Sequence, residues 1–293
     1  MTLKKILLII GIVLIVAIIG LFTYINTMSM GMKPEEVTAL FQGKKYQPVK
    51  KTYNNTKDIQ AAKVAATEIG DNDSLPLVIF VHGSPGGWEA FAKYLADSEL
   101  QEKCRMVSVD RLGYGGSNKG KPETSLAKQA GILKAIISEK KQGQKVILVG
   151  HSYGGPTIAR FAMDFPDMVN GLVFLAPSID PTQEKVKWYQ KVGAWGAIRW
   201  ALPSWLDVCN REILPLKKEL TEMLPLWKNI NCPVQFLQGQ KDHLVPYKNA
   251  IFGQKQMAHL PFTLTPFPEE DHFIVWTQFE AVKNAILVQI SRR

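Results

Sequence analysis

The chain has 293 residues, 46% of them hydrophobic, and a net charge of +9. This length allows one large domain or two small ones. The lysines are dispersed, and no basic run is interleaved with aromatic residues, which argues against nucleic acid binding. The positive charge has two remaining interpretations, a basic face beside an anionic membrane and a solvated lysine-rich surface. The three cysteines, Cys104, Cys209 and Cys232, are too few for a disulfide scaffold, and the chain has no CxxC or HExxH metal motif. A disulfide between Cys209 and Cys232 in an oxidising compartment stays open.

The N-terminal region contains an uncharged apolar run over residues 6–25. As a helix this run is about 30 Å long, which matches the hydrocarbon core of a bilayer. Lys4 and Lys5 precede it, so we expect residues 1–5 to stay cytoplasmic and the rest of the chain to lie on the far side. The sequence thus predicts a single-pass anchor at 6–25, followed by a juxtamembrane linker at 26–50.

Two alternatives exist for this run. A cleaved signal peptide would release a secreted protein, but such peptides have an apolar region of about 7–15 residues and a small-x-small cleavage site. Residues 6–25 are longer than that, and Thr27-Met28-Ser29 is a poor cleavage site. A buried core helix is the third alternative, although the run offers no polar face to solvent.

After the linker, apolar strands and amphipathic helices alternate, which is typical of a mostly parallel sheet with helices on both faces. The fold class is therefore α/β, with a domain at 51–293. Strands are predicted at 59–69 (one or two), 75–81, 106–109, 146–149, 172–175, 234–237 and 262–264. Helices are predicted at 34–41, 88–95, 124–139, 156–165 and 273–290.

Residues 178–230 interrupt this alternation and contain five of the seven tryptophans. The segment is punctuated by prolines, and we interpret it as a helical cap inserted between two core strands. If its tryptophans face the site, they favour an apolar or aromatic substrate group. The alternative is that they form the core of the cap itself.

Residues 146–154 predict a nucleophile. Four apolar residues lead into Gly150-His151-Ser152-Tyr153-Gly154, and a helix-forming stretch follows. A strand, a tight turn and a helix in this order expose the hydroxyl of the central serine, and the flanking glycines avoid clashes with nearby backbone. The pentapeptide alone is a weak signal, so its interpretation depends on the partners of Ser152.

A serine nucleophile needs a base, and the base needs a group that orients it. Of the five histidines, His272 is the candidate base because it lies on the loop after the last predicted strand. His151 is expected to point away from the turn. Asp242 closes the preceding strand and is the candidate acid, with Asp180 as the alternative. The order Ser152, Asp242, His272 matches one lineage of catalytic triads.

The oxyanion formed during acyl transfer needs backbone N–H donors. Tyr153 N–H lies at a helix N-terminus and is one candidate. Ser84 N–H, in the glycine-rich loop after the strand at 75–81, is the other. A plain glycine turn is the alternative interpretation of that loop.

With these motifs, the chain resembles the α/β-hydrolase superfamily over about residues 50–293. The resemblance rests on His82-Gly83-Ser84-Pro85-Gly86, Asp110-Arg111-Leu112-Gly113-Tyr114-Gly115-Gly116-Ser117, Gly150-His151-Ser152-Tyr153-Gly154-Gly155, Gly239-Gln240-Lys241-Asp242 and Asp271-His272. This superfamily includes esterases, lipases, iminopeptidases and carbon–carbon bond hydrolases. Epoxide hydrolases and haloalkane dehalogenases of the superfamily carry aspartate where this chain has Ser152, and Ser84 departs from the iminopeptidase pattern. The Asp110-Arg111 pair is expected to brace its loop rather than to act chemically.

The resulting expectation is a membrane-anchored serine hydrolase that cleaves a small-molecule or lipid-like carboxylic ester, without a metal or organic cofactor. Ser152, His272 and Asp242 would form the triad, and the Ser84 and Tyr153 amides the oxyanion hole. A peptidase, a carbon–carbon bond hydrolase and a non-catalytic binding protein on the same fold are the alternatives. The sequence does not indicate an oligomeric state.

Overall fold

The computed structural model describes residues 2–27, 31–54, 63–139 and 143–292. Its centre is an eight-stranded sheet with strand order β1-β2-β4-β3-β5-β6-β7-β8. The strands are β1 (Val49–Tyr53), β2 (Val64–Ile69), β3 (Leu77–Val81), β4 (Arg105–Val109), β5 (Val146–His151), β6 (Gly171–Leu175), β7 (Val234–Gly239) and β8 (Phe262–Phe267). The first part of the strand predicted at 59–69 lies outside the described residues.

The sheet is parallel from β4 through β8, whereas β1 and β2 pair antiparallel at one edge. All residues of β3, β5, β6 and β7 are buried. Strands of this kind read as continuous apolar runs because both faces of the sheet are covered. β8 contains Pro266, which is tolerated because β8 is the opposite edge strand.

Helices cover both faces of this sheet, and two apolar core clusters lie between the layers. The α-helices of the described residues are α1 (Leu3–Thr27), α2 (Pro34–Phe41), α3 (Ala92–Leu95), α4 (Ser98–Lys103), α5 (Leu126–Ser138), α6 (Gly154–Asp164), α7 (Trp188–Gly193), α8 (Gly196–Arg199), α9 (Ser204–Ile213), α10 (Leu216–Met223), α11 (Lys248–Gln256), α12 (Ile274–Thr277) and α13 (Phe279–Ser291), and not all of them pack on the sheet. The closing helix predicted at 273–290 is divided into α12 and α13, because Gln278 leaves the helical region at φ −113° and ψ 45°.

The predicted anchor at 6–25 falls within α1. In the part of the chain that the structure describes, no helix meets the length and hydropathy required to cross a membrane. The structure therefore gives no support to the transmembrane prediction, which rests on the sequence alone.

The segment predicted as a juxtamembrane linker contacts the rest of the fold. α2 places Phe41 in the core at 1% exposure, and Met32, Val37 and Leu40 pack against the same cluster. β1 then joins the sheet beside β2. Residues 31–53 thus lie against the sheet and its helices.

The interruption at 178–230 is helical. α7, α8, α9 and α10, followed by a 3₁₀ turn at Leu224–Asn229, lie between β6 and β7. This insertion leaves from the carboxyl end of β6, the sheet edge at which ligands bind in open parallel sheets. It forms the cap over the candidate site.

Candidate active site

Ser152 lies at the apex of the turn between β5 and α6. Its φ is +54°, in the left-handed region that is uncommon for residues other than glycine, and its N–H donates to the Leu175 carbonyl at 3.0 Å. The turn is tight enough that a Cβ on Gly154 would lie 2.1 Å from the Val81 carbonyl oxygen. Any residue other than glycine at 154 would therefore displace β3. This backbone presents the serine side chain above the sheet.

His272 and Asp242 come together on two neighbouring loops. The Nδ1 of His272 donates to Oδ2 of Asp242 at 2.7 Å, and both residues are buried. Because an ionised carboxylate only accepts hydrogen bonds, this contact places the ring proton on Nδ1 and leaves Nε2 as a proton acceptor. His272 and Ser152 line one cavity.

Asp242 is held in place by three further donors. The Leu244 and Val245 amides donate to its Oδ1 at 2.9 and 2.7 Å, and Gln238 Nε2 donates to its Oδ2 at 3.0 Å. These bonds fix the orientation of the carboxylate. The alternative acid, Asp180, instead accepts from the amide and hydroxyl of Thr182, both at 2.8 Å. The structure thus places Asp242, and not Asp180, beside His272.

His151 lies next to His272, contrary to the prediction from the sequence. We expected it to point away from the turn, but its ring centroid lies 4.9 Å from that of His272 and it lines the cavity. Its Nε2 donates to the His272 carbonyl oxygen at 3.2 Å. Burial, with a smaller contribution from His272, lowers the pKa of His151 to about 3, so the ring is neutral. Its position depends on a contact across 121 residues, for which the sequence carries no local signal.

The glycine-rich loop after β3 lies against Ser152. A Cβ on Gly83 would lie 2.9 Å from Cβ of Ser152, so only glycine allows this approach. Ser84 and Tyr153, the two candidate oxyanion donors, both line the cavity with Ser152. Tyr153 is the N-cap of α6, where backbone amides lack intrahelical acceptors.

Arg111 ties this loop to the cap. Its guanidinium donates to the carbonyls of His82 and Gly83, both at 2.9 Å. It also forms a bidentate pair with Glu212 of α9 at 2.8 and 2.9 Å, and neither side chain is exposed. Tyr114 donates to the same carboxylate at 2.6 Å. Glu212 was not singled out from the sequence, because its partner lies 101 residues away.

Replacing Glu212 by alanine is expected to lower the free energy of unfolding by about 3–5 kcal/mol, because the substitution leaves the Arg111 charge buried and unpaired. Urea unfolding followed by tyrosine and tryptophan fluorescence measures this difference.

The matched control is Glu222→Ala in the neighbouring helix α10. Glu222 pairs with Lys218 at 3.7 Å, and these side chains are 54% and 77% exposed. Exposed pairs of this kind contribute about 0–1 kcal/mol. Equal losses of stability in the two variants would contradict the role assigned to Glu212.

The cavity has a volume of about 910 Å³, within the usual range for small-molecule sites. Apolar side chains form much of its wall, among them Met32, Ile213, Leu216, Leu244, Phe273 and Trp276. Glu36, Glu89 and Glu184 also line it. Burial raises the pKa of Glu89 and of Glu184 above the ordinary carboxyl value.

The cap tryptophans as a group neither face the cavity nor form the core of the cap. Trp227 is buried in the core, whereas Trp188, Trp195 and Trp200 are 76%, 63% and 81% exposed. Among the described residues, the tryptophan that lines the cavity is Trp276 of α12. The expected link from cap tryptophans to substrate is therefore wrong. The three cysteines are free thiols, so the pairing of Cys209 with Cys232 is not formed.

Comparison with known proteins gives a family match for part of the chain. A family model described as alpha/beta hydrolase fold matches residues 76–197. This region runs from β3 through the turn at Ser152 into the cap. Residues 76–197 match this family, and the described chain has the α/β-hydrolase fold. The matched region contains the loop after β3 and the turn at Ser152.

Individual relatives are more distant. The chain is 34% identical to Epoxide hydrolase 1 of Caenorhabditis elegans over 104 residues, which is 35% of this chain and 25% of that relative's length. Among solved structures, an esterase from Exiguobacterium antarcticum matches 80% of this chain and 98% of its own at a TM-score of 0.60 and 18% identity. A monoacylglycerol lipase from Paleococcus ferrophilus matches 78% and 98% at 0.59 and 19%. At these identities the structures show the shared fold alone.

Proposed function

We propose that this protein is a serine hydrolase that cleaves a carboxylic ester through an acyl-enzyme on Ser152. The observation that carries the proposal is the 2.7 Å bond from His272 Nδ1 to Asp242, on the cavity that Ser152 also lines. A base oriented in this way, on the same cavity as a serine at a left-handed turn position, is the set of groups that acyl transfer requires. The elbow residue is serine, so we do not assign the epoxide chemistry named for the curated relative.

In the proposed reaction, Ser152 Oγ attacks the ester carbonyl carbon while its proton passes to His272 Nε2. Asp242 stabilises the resulting imidazolium, and the Ser84 and Tyr153 amides donate to the oxyanion. Collapse breaks the bond to the alcohol oxygen, which takes the proton from Nε2. Water then attacks the acyl-enzyme with the same base, and the carboxylic acid leaves. Each oxyanion donor contributes about 10²–10³ to the rate in enzymes of this kind.

The apolar wall of the cavity favours an ester with an apolar acyl or alcohol group. Phe273 and Trp276, at 45% and 41% exposure, stand beside the base on the loop and helix that follow it. Burial of their exposed area by a substrate provides binding energy without a charged partner. We therefore propose a lipid-like ester as the substrate class, on the basis of this apolar cavity wall.

A peptidase is the second candidate, and a specific observation favours it. Glu36, Glu89 and Glu184 line the cavity and could pair with the ammonium group of an aminoacyl substrate. Glu184 is already engaged as the acceptor for the Ser178 hydroxyl. Burial raises the pKa of Glu89 and of Glu184. It therefore disfavours the charged form that would pair with an ammonium group, which weakens this alternative.

Turnover of p-nitrophenyl esters of increasing acyl length, measured beside aminoacyl arylamides, separates the two candidates. We expect ester hydrolysis with kcat/KM rising as the acyl chain lengthens, since each buried CH₂ contributes about 0.8 kcal/mol. Cleavage of aminoacyl arylamides without turnover of any ester would overturn the ester assignment and favour the peptidase.

We also propose that residues 6–25 anchor the protein, with the catalytic domain outside the cytoplasm; this rests on the apolar run and on Lys4 and Lys5. The full-length protein is expected to stay with membranes after alkaline carbonate extraction. Val16→Arg is expected to weaken this retention, because a centrally placed arginine costs about 2.5–3.5 kcal/mol on insertion. Val288→Arg, on the exposed face of α13, is the control. Recovery of the wild type in the soluble fraction would contradict the anchor.

A further inference from the structure

The cap carries an exposed aromatic surface that the proposed reaction does not use. We define the cap patch as Trp188, Tyr189, Trp195 and Trp200 together with Lys185, Lys187 and Lys191. The four aromatic side chains are 57–81% exposed, and the three lysines are exposed as well. Soluble surfaces rarely display several large aromatic side chains in one segment, and such patches mark interaction sites.

The charge of the cap patch indicates its partner. Residues 185–206 contain no Asp or Glu. Arg199 in the same segment forms an ion pair with Asp207 at 3.6 Å, so the lysines supply most of the uncompensated positive charge. Trp and Tyr beside lysines are typical of segments at the membrane–water interface, whereas lysine is depleted in protein–protein interfaces. An anionic bilayer surface therefore fits this composition better than a second copy of the chain.

The cap patch is continuous with the mouth of the cavity. Lys185, Lys187 and Tyr189 belong to the patch and also line the cavity. Gly31 and Met32, which follow α1 in the chain, line the same cavity. A surface bound at the patch thus lies next to the opening that leads to Ser152.

We propose that the cap patch docks on the surface of an anionic bilayer and that an apolar ester enters the cavity from that bilayer. The entry of substrate rests on the proposed function, whereas the docking does not. Docking buries the exposed tryptophans in the interfacial region and sets the lysines among anionic headgroups.

Tryptophan fluorescence tests the docking directly. All seven tryptophans lie after Gly87, so insertion of residues 6–25 alone contributes no signal. The full-length protein is reconstituted into vesicles of equal parts phosphatidylcholine and phosphatidylglycerol, with brominated phosphatidylcholine as the quencher. We expect strong quenching in the wild type and loss of most of it in the variant Trp188→Ser/Trp195→Ser/Trp200→Ser. Ile251→Ser, which removes a side chain 53% exposed on α11, is expected to quench like the wild type.

The lysines are tested by the variant Lys185→Gln/Lys187→Gln/Lys191→Gln. At about 1 kcal/mol per lysine, the ratio of docked to undocked protein is expected to fall up to about 10²-fold, with the largest change in the anionic vesicles. Phosphatidylcholine vesicles alone are expected to quench the wild type less.

Two results would overturn the docking proposal. One is unchanged quenching in the triple serine variant. The other is absence of quenching in the wild type together with self-association that the triple serine variant abolishes, which would make the patch an interface between copies. Turnover of a short water-soluble ester is expected to be unchanged in the triple serine variant, because the three tryptophans do not line the cavity. Quenching without any ester turnover by the wild type would leave the docking intact and refute the proposed function.

Discussion

Replacing Ser152 by alanine is expected to lower kcat for ester hydrolysis by about 10⁶-fold, because the loss of a serine nucleophile removes the covalent route altogether. The same variant is expected to lose labelling by a fluorophosphonate probe, which reacts with the activated hydroxyl. Steady-state kinetics and in-gel fluorescence of the labelled protein measure the two effects.

Alanine is a suitable replacement because it leaves the elbow in place. Ser152 occupies the left-handed region at φ +54°. Serine and alanine both carry a Cβ, so the free energy cost of this backbone conformation is similar for the two residues. The free energy of unfolding is therefore expected to stay near the wild-type value, and the variant serves as its own control for folding. Undiminished labelling of Ser152→Ala would show that the nucleophile is another residue.

Replacing Asp242 by asparagine is expected to lower kcat by about 10⁴-fold while the protein remains folded. Asp242 Oδ1 accepts from the Leu244 and Val245 amides, which fixes the orientation of an asparagine as well. Its Nδ2 would then face His272 Nδ1 and donate to it. The ring proton would move to Nε2, and His272 could no longer accept the proton of Ser152.

The matched control for this variant is Asp180→Asn. Asp180 is also buried, but its carboxylate accepts from Thr182 and does not contact His272 in the structure. We expect kcat of Asp180→Asn to stay close to the wild-type value. A larger loss in Asp180→Asn than in Asp242→Asn would reverse the assignment of the acid.

Elements with a strong local signal could be predicted from the sequence. β5 and α6 follow from an apolar run, a glycine turn and a helix-forming stretch that are adjacent in the chain. α2 was predicted at residues 34–41, the bounds that the structure gives, where Pro34 begins the helix. The order of the parallel strands places their carboxyl ends at one edge, which is why Ser152, Asp242 and His272 could be nominated together.

Contacts between distant segments could not be predicted in this way. The pairing of Arg111 with Glu212, the position of His151 against His272 and the division between α12 and α13 each depend on packing across the fold. The exposure of the cap tryptophans could not be predicted either. Its tryptophan content is plain in the sequence, but three of these residues face outward, because hydrophobic composition alone does not specify which face of a short helix is buried.

The sequence by itself therefore determined the fold class and the chemistry of the candidate residues, since both depend on residue types and on patterns local to the chain. The tertiary structure decided which acid contacts His272, how the glycine-rich loop after β3 is held to the cap, and which cap residues are exposed. These depend on side chains brought together from positions 30–101 residues apart. The five residues around Ser152 nominate it only together with candidate partners elsewhere in the chain, and those partners come together only in the folded protein.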